Sequence, residues 1–479
     1  YDYLVRFPNL SSIAAARFMR EASCSGSILS TYWTTLAQEI KQAFDGDTAE
    51  AKRQRFAART KGRPTYIVQT DCQINPNNSS GHNFNGVMFS SKWLAEDMSL
   101  DKAQGDRGDS DVSKLRHAVD QAHQRTGLTG GSPSDWWAIV LADGDSMGQY
   151  ISGSKLETYE AYLVKAAIAN KPAGLADLCR EQKRMGPATH VGLNRALLDF
   201  SNRLVPYLTE QRCCGKVIYS GGDDVMAVLP IEDLPEYLRS LRAAWRGADD
   251  PGDEFFHGEG SGSGYWQLRP GTTKPGIPNR PLFTMGNTAT MSMGIVIAHK
   301  SVPLPTVLES LWSAEKDRAK KMMGKDGLCF RVIYGGGNTL EALMKGSLLE
   351  QWWAIAQQYE SLGDKLAPVL HRLAEELPKR VNVDAPALFA LAAEVIMERR
   401  DDTETVAALK APMMAWLNAW AHWVHGAAAD GNALGATTRD LGYLLRFTAF
   451  WVDKMVQRQA WQRPAAQTDG DRQPTLARR

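Results

Sequence analysis

Lys216-Val-Ile-Tyr-Ser-Gly-Gly-Asp-Asp-Val-Met-Ala-Val-Leu-Pro230 is the stretch on which the reading of this chain turns. Two apolar runs, Val217-Ile218-Tyr219 and Val225-Met226-Ala227-Val228-Leu229, flank Ser220-Gly221-Gly222-Asp223-Asp224. Runs of this kind around a Gly-Gly pair predict a tight β-hairpin with paired acids at its tip. Glycine lets backbone approach a ligand closely. Adjacent carboxylates repel each other unless a cation sits between them. Gly and Asp are also ordinary turn residues, so the hairpin alone leaves a structural role open.

A second stretch points toward chemistry. Trp136-Trp137-Ala138-Ile139-Val140-Leu141-Ala142 is a continuous apolar run and predicts a buried strand. It ends in Asp143-Gly144-Asp145-Ser146-Met147-Gly148. An acid at the end of a buried strand is costly unless it is paired or metal-bound. Two strand ends carrying acids, separated by helical sequence, suit a two-metal phosphoryl-transfer site, in which divalent ions sit about 4 Å apart. Oxygen-only ligands favour Mg²⁺ or Mn²⁺ over zinc.

The metal ligands expected on this basis are Asp143 and Asp224, with Asp223 as a further ligand or as an acid just outside them. Asp145 reads either as a carboxylate behind them or as a cap on the following helix. Metal ions there would polarise an α-phosphate, promote ionisation of an attacking 3′-hydroxyl and neutralise a pyrophosphate leaving group. Ser220, Gly221 and Gly222 would admit a nucleotide. Of the basic residues Lys316, Arg318, Lys320, Lys321 and Lys325, the two singled out for triphosphate oxygens are Lys320 and Lys321. Ser292-Met293-Gly294 could leave room for a base, or could be simple strand packing. The nine histidines form no H-x-x-x-H, H-E-x-x-H or His-Asp pair, so no His-Asp nuclease signature is present.

The 479 residues suffice for two to four domains, and the composition is that of a globular chain. A net charge of +1 argues against a protein that coats nucleic acid, so any such contact must be local. Six cysteines without a C-x-x-C pair read as reduced thiols, and hence as a cytoplasmic protein. No apolar run has the length of a membrane span and no signal peptide is seen. The chain starts at Tyr1 rather than Met, which reads as a piece of something longer.

The predicted organisation is α+β. A mixed, mainly helical domain covers 1–130, with helices over Ser11 to Glu21, Ser30 to Phe44 and Val112 to Arg125, and loop or linker over Asn75 to Gly86 and Lys102 to Asp111. Its segment Lys52 to Arg63 carries six basic residues and no acid. That segment could meet RNA phosphates or an acidic partner face, but the favoured reading is a solvated helix. A palm covers 131–337: strand, helices (Met147 to Ser152, Glu157 to Ile168, and Gly192 to Arg212 kinked at Pro206), hairpin, helix Ile231 to Trp245, strand Ala289 to Ala298, a helix marked by Leu304 to Trp312, strand Leu328 to Tyr334. This order is the ferredoxin-like arrangement. Residues 247–281 read as a long, mobile inserted loop. A helical bundle follows over 338–460, starting with a helix from Leu340 to Leu362, and 461–479 reads as a disordered tail.

Ala138-Ile-Val-Leu-Ala-Asp143-Gly-Asp-Ser-Met-Gly148 followed by Ser220-Gly-Gly-Asp-Asp224 resembles the nucleotide-cyclase palm of the large subunit of type III CRISPR effector complexes, of the III-B kind. Arg6-Phe-Pro-Asn-Leu-Ser-Ser-Ile-Ala14 is similar to the segment before that subunit's middle domain. Ser292-Met-Gly294 and Ala314-Glu-Lys-Asp-Arg-Ala-Lys320 resemble the closing half of the same palm, shared more distantly with GGDEF diguanylate cyclases. The resemblance implies conversion of ATP to cyclic oligoadenylate when target RNA binds, in antiviral defence. It also implies a complex with guide RNA and with backbone, cap and small subunits. Two features of the family are not found, an N-terminal His-Asp nuclease and a first palm, so DNA cleavage is not predicted. The alternatives are an inactive scaffold subunit of the same complex or a GGDEF-like dinucleotide cyclase.

Overall fold

The computed structural model describes residues 10–24, 28–44, 68–69, 83–84, 86–97, 106–163, 173–257, 264–380, 386–429, 435 and 437–462. Its centre is a six-stranded sheet: β1 (Trp136–Gly144), β2 (Lys216–Gly221), β3 (Asp224–Pro230), β4 (Met291–His299), β5 (Gly327–Ile333) and β6 (Thr339–Lys345). The spatial order is β6-β5-β4-β1-β3-β2. The four strands β4-β1-β3-β2 are mutually antiparallel, which is the ferredoxin-like order predicted from the motif sequence. Strand β5 then joins β4 in parallel, and β6 returns antiparallel to β5.

Alternation along the strands explains the layers. Ala138, Val140 and Ala142 of β1, Ala227 and Leu229 of β3 and Met293, Ile295 and Ile297 of β4 face one side. There they meet the helix α1 (Pro187–Asp199) with its continuation to Arg212, the helix α2 (Leu234–Arg246), and the C-terminal helices. Trp137, Ile139, Val228, Val296 and Ala298 face the other side. Helix α3 (Leu304–Ser313) covers them through Val307 and Leu311, together with Ile13 and Ala14 of the short helix Leu10–Ala14. Burial on both faces is why β1 is apolar throughout.

Several expectations change in three dimensions. Residues 339–345 form a strand where a helix was expected, and the next helix begins at Leu349. Ala, Leu, Glu and Met favour helix intrinsically, but the Gly335–Gly337 turn brings the segment back along the open edge of β5. Ala342 and Met344 then enter the core and Glu341 pairs with Arg331 at 2.7 Å. The region 247–281 is no mobile loop over its described residues. Phe255–Phe256, Tyr265–Leu268 and Leu282–Phe283 make a small sheet. Trp266 is fully buried, stacks on Phe255 at 5.0 Å, and donates to the Ala248 carbonyl at 2.7 Å. Arg212 anchors the region through Asp250 and Glu254 at 2.6 and 2.7 Å.

Past Pro206 the helix runs on, with π turns at Phe200–Leu204 and Leu208–Arg212. Those wider turns shift the hydrogen-bond pairing around the missing N–H. The helix expected over Glu157 to Ile168 is a 3₁₀ turn, Tyr159–Tyr162, where described. The helix expected from Val112 already starts at Asp106. The last helix, Thr438–Gln462, runs past the expected start of the tail, and Trp461 is buried against Phe18. The basic segment 52–63, most of 75–86 and residues 463–479 lie outside the described residues. The C-terminal helices share the palm's core: Phe330 of β5 stacks on Phe447 at 4.4 Å and on Trp352 at 6.1 Å.

Candidate active site at the palm hairpin

Strand register builds the site. Ala142 of β1 pairs with Val225 of β3, so the next residues along, Asp143 and Asp224, stand side by side at the strand ends. Across the other neighbour Asp143 pairs with Ser292 of β4. Gly221 pairs with Asp224, which leaves Gly222 and Asp223 as the hairpin turn. Gly222 has φ 66°, a left-handed conformation that glycine adopts without cost, and open space lies where a side chain would be. Gly144 allows Asp223 in: a Cβ there would lie 2.8 Å from the Asp223 Cβ and 2.7 Å from the Trp245 ring.

Burial, and then neighbouring negative charge, raises Asp223, Asp224 and Glu315. Burial, with the charges of Asp143 and Asp224, pushes Asp223 up to about 6. Asp224 is raised by partial burial and by Asp143, against the pull of Lys320. Glu315 joins them from below, pushed up to about 7 by burial and by Asp143. It is 8% exposed, and its Oε1 has no hydrogen-bond partner. Lys320 forms an ion pair with Asp143.

Glu315 and Lys320 reach the same place because Ala314–Met322 is a π-helix continuing α3. Residues five apart align on such a helix, whereas on an α-helix they diverge. The burial pattern agrees: Ala314 and Glu315 are buried, Lys316 and Asp317 exposed, Ala319 buried and Lys320 half-buried. Gly294 seats this segment, since a Cβ there would lie 2.6 Å from the Glu315 nitrogen. The space beside Ser292-Met293-Gly294 is therefore filled by helix backbone, the strand-packing alternative, and is not a base pocket.

Asp145 holds the frame instead of capping a helix. It is buried, accepting from Thr290 Oγ1, Ser292 Oγ and the Asp326 N–H, each at 2.8 Å. Arg242 in turn pairs with Asp326 at 2.7 Å. The adjoining turns are strained, with positive φ at Ser146, Lys325 and Asp326, and the Lys325 ammonium donates to Ser146 Oγ at 2.6 Å. Non-glycine residues in that region cost roughly 1–3 kcal/mol each and cluster at functional sites.

Of the other predicted residues, Ser220 is committed, its hydroxyl donating to the Ser201 carbonyl at 2.9 Å. The Tyr219 ring lies over Gly221. Lys321 is exposed, Arg318 pairs with Glu341 at 3.3 Å, and Lys325 faces Ser146. The donor set fits a hard divalent cation in kind: oxygen only, anionic, with one buried oxygen unpartnered. It is not a closed cage. Among the described residues no three such side chains are drawn together tightly enough to hold a metal, and Lys320 stands against Asp143. Glu315, Asp326 and Arg242 were not found from sequence. The five-residue spacing of Glu315 and Lys320 becomes meaningful only once the helix is known to be π.

Fold and site together define a nucleotidyl-cyclase-type palm carrying a Gly-Gly-Asp-Asp hairpin. Residues 136–256 match the family described as Cas10/Cmr2, second palm domain, as the motifs indicated. The chain is 24% identical over 327 residues to the CRISPR system Cmr subunit Cmr2 of Pyrococcus furiosus, covering 66% of this chain and 32% of that protein. It thus spans about a third of the length of this curated relative. Two solved structures are also similar. One is a type III-B Cmr-beta complex bound to cognate target RNA (TM-score 0.45, 15% identity, 83% of this chain and 43% of that one). The other is the apo state of Cmr-beta (TM-score 0.41, 16% identity, 60% and 36%). Among the described residues no helix is long and apolar enough to cross a membrane, and Cys179, Cys213, Cys214 and Cys329 are buried thiols.

Proposed function

We propose that this chain is the large subunit of a type III RNA-guided effector complex and forms cyclic oligoadenylate from ATP when target RNA binds. The observation that carries this reading is the convergence of Asp143, Asp223, Asp224 and Glu315 at the end of β1 beside an open Gly222 turn. Asp143, Asp223 and Asp224 would hold Mg²⁺ or Mn²⁺. The bound ions would supply positive charge to lower the pKa of the attacking 3′-hydroxyl and to balance the departing pyrophosphate. The 3′-oxygen forms the new bond to the α-phosphorus as the bond to pyrophosphate breaks, and the hydroxyl proton is released. Gly222 would let the hairpin backbone approach the nucleotide, and Lys320, beside Asp143, would be a cation available to its phosphates. Asp145 keeps the β1 end and the Lys325–Asp326 turn in register. Its partners would be guide and target RNA and the backbone, cap and small subunits of such a complex, in the cytoplasm, where the buried thiols stay reduced.

A scaffold role without turnover is the second reading, favoured by the ion pair that already answers Asp143. The test is mass spectrometry of products from ATP and Mg²⁺ in the reconstituted complex, with matching and unmatched target RNA. Cyclic oligoadenylate that requires matching RNA and disappears in Asp223→Ala/Asp224→Ala, with assembly intact, supports the enzyme. No product from a complex that binds target supports the scaffold. A cyclic dinucleotide would point to GGDEF-like chemistry.

A further inference from the structure

The ammonium of Lys320 is paired with Asp143, one of the carboxylates that a divalent cation would need. It contacts Asp143 and also senses Glu315 and Asp145. One π-turn earlier, Glu315 offers a buried carboxylate oxygen with no hydrogen-bond partner, aimed into the same cluster. A buried unpaired acceptor is expensive and calls for a partner that arrives in another state of the site. We propose that Lys320 is a built-in counter-ion of the acid cluster, that a divalent cation displaces it from Asp143, and that Glu315 receives the displaced ammonium. This inference rests on the acid cluster being the cation site of the proposed function.

Charge accounts for each part. Without a cation, Asp143, Asp223 and Asp224 repel, and Lys320 neutralises one of them. A divalent ion and the Lys320 ammonium cannot both occupy the face of Asp143. Movement of the ammonium toward Glu315 keeps a positive charge beside the cluster and pairs the orphaned oxygen. The exchange is ionic: one cation replaces another at Asp143, and no covalent bond changes. Glu315 is here a positioning residue, because it acts through Lys320.

The test is direct Mn²⁺ titration of the chelator-treated full chain, without nucleotide, following the free-ion electron paramagnetic resonance signal. Lys320→Met removes the competitor, and Mn²⁺ should bind about fivefold tighter, the scale of one partly exposed ion pair. Glu315→Gln keeps the shape but removes the negative charge that would hold the ammonium, and binding should weaken by a similar factor. In the double variant the Glu315→Gln effect should vanish, because the residue acts through Lys320. Unchanged or weaker binding in Lys320→Met overturns the counter-ion role. A Glu315→Gln effect that persists in the double variant overturns the receiving role. Asp143→Asn/Asp224→Asn separates the two readings. If it binds Mn²⁺ as the wild type does, the cation site itself is wrong. If it loses Mn²⁺ while Lys320→Met matches wild type, only the present inference fails.

Discussion

Strand β3 begins and ends beside a pair of acids, and the two pairs live in different surroundings. Past its C-terminal end, Glu232 and Asp233 sit where the N-terminal helices, the palm and the last helix meet. Asp233 is answered by Arg17 at 3.0 Å and by the Cys214 N–H at 2.6 Å, and Glu232 by Arg458 at 2.5 Å. Arg458 also donates to the Pro133 carbonyl at 3.0 Å. At the N-terminal end, Asp223 and Asp224 face Asp143 and Glu315, and Lys320 is the cation in contact. At the junction each acid has an arginine from another part of the chain, so burial serves assembly. At the hairpin like charges are left facing each other, an arrangement that lowers stability and makes sense where a ligand supplies the missing charge.

The largest expected difference is functional. Asp143→Asn should lower product formation by roughly 10³-fold in the reconstituted complex while the melting temperature holds or rises. A matching fall in stability would place Asp143 with the structural acids. At the junction the reverse is expected. Arg458→Ala leaves Glu232 buried without its partner and should cost about 3–5 kcal/mol by urea denaturation. Between the two lies Asp145, whose loss strands three donors. Asp145→Ala should cost about 3 kcal/mol, and retention of full stability would show that water replaces its contacts.

Acidity sharpens the same contrast. Burial pushes Glu232 up to about 7 despite Arg458. Because the folded value lies above the unfolded one, the folded chain holds the proton longer. The stabilising contribution is complete below about pH 4.5 and is lost as pH rises through 7, an effect of about 3 kcal/mol. Unfolding measured from pH 5 to pH 8 should show this slope, and Glu232→Gln should flatten it. The smallest effect is at the hairpin: Asp223→Asn in chelator should raise stability by at most about 1 kcal/mol through relief of repulsion.

Much of this was legible beforehand. The apolar run 136–142, the paired runs around Gly221-Gly222 and the acids after them specified the central strands and the meeting of Asp143 with Asp224. Apolar periodicity placed the helix 234–246 closely. What misled was local preference. Thr339–Lys345 has helix-forming residues but completes a sheet edge, and the Gly/Pro-rich region 247–281 reads as loop but is packed by Trp266 and tied by Arg212. Lys320 and Lys321 look equivalent as letters, yet one meets Asp143 and the other faces solvent.

By itself, then, the sequence determined the ferredoxin-like strand order and the placement of Asp143 beside the Asp223-Asp224 turn, because period-two burial and turn chemistry act over a few residues. Only the tertiary structure decided which further residues join them. The π-turn that aligns Glu315 with Lys320 follows from the pressing of a helix onto Gly294. The locking of Asp145 needs Thr290 and Ser292 at the start of β4 and Asp326 from a strained turn. The Asp145 contacts join positions more than a hundred residues apart, and no local pattern encodes a contact whose two halves are specified by separate parts of the chain.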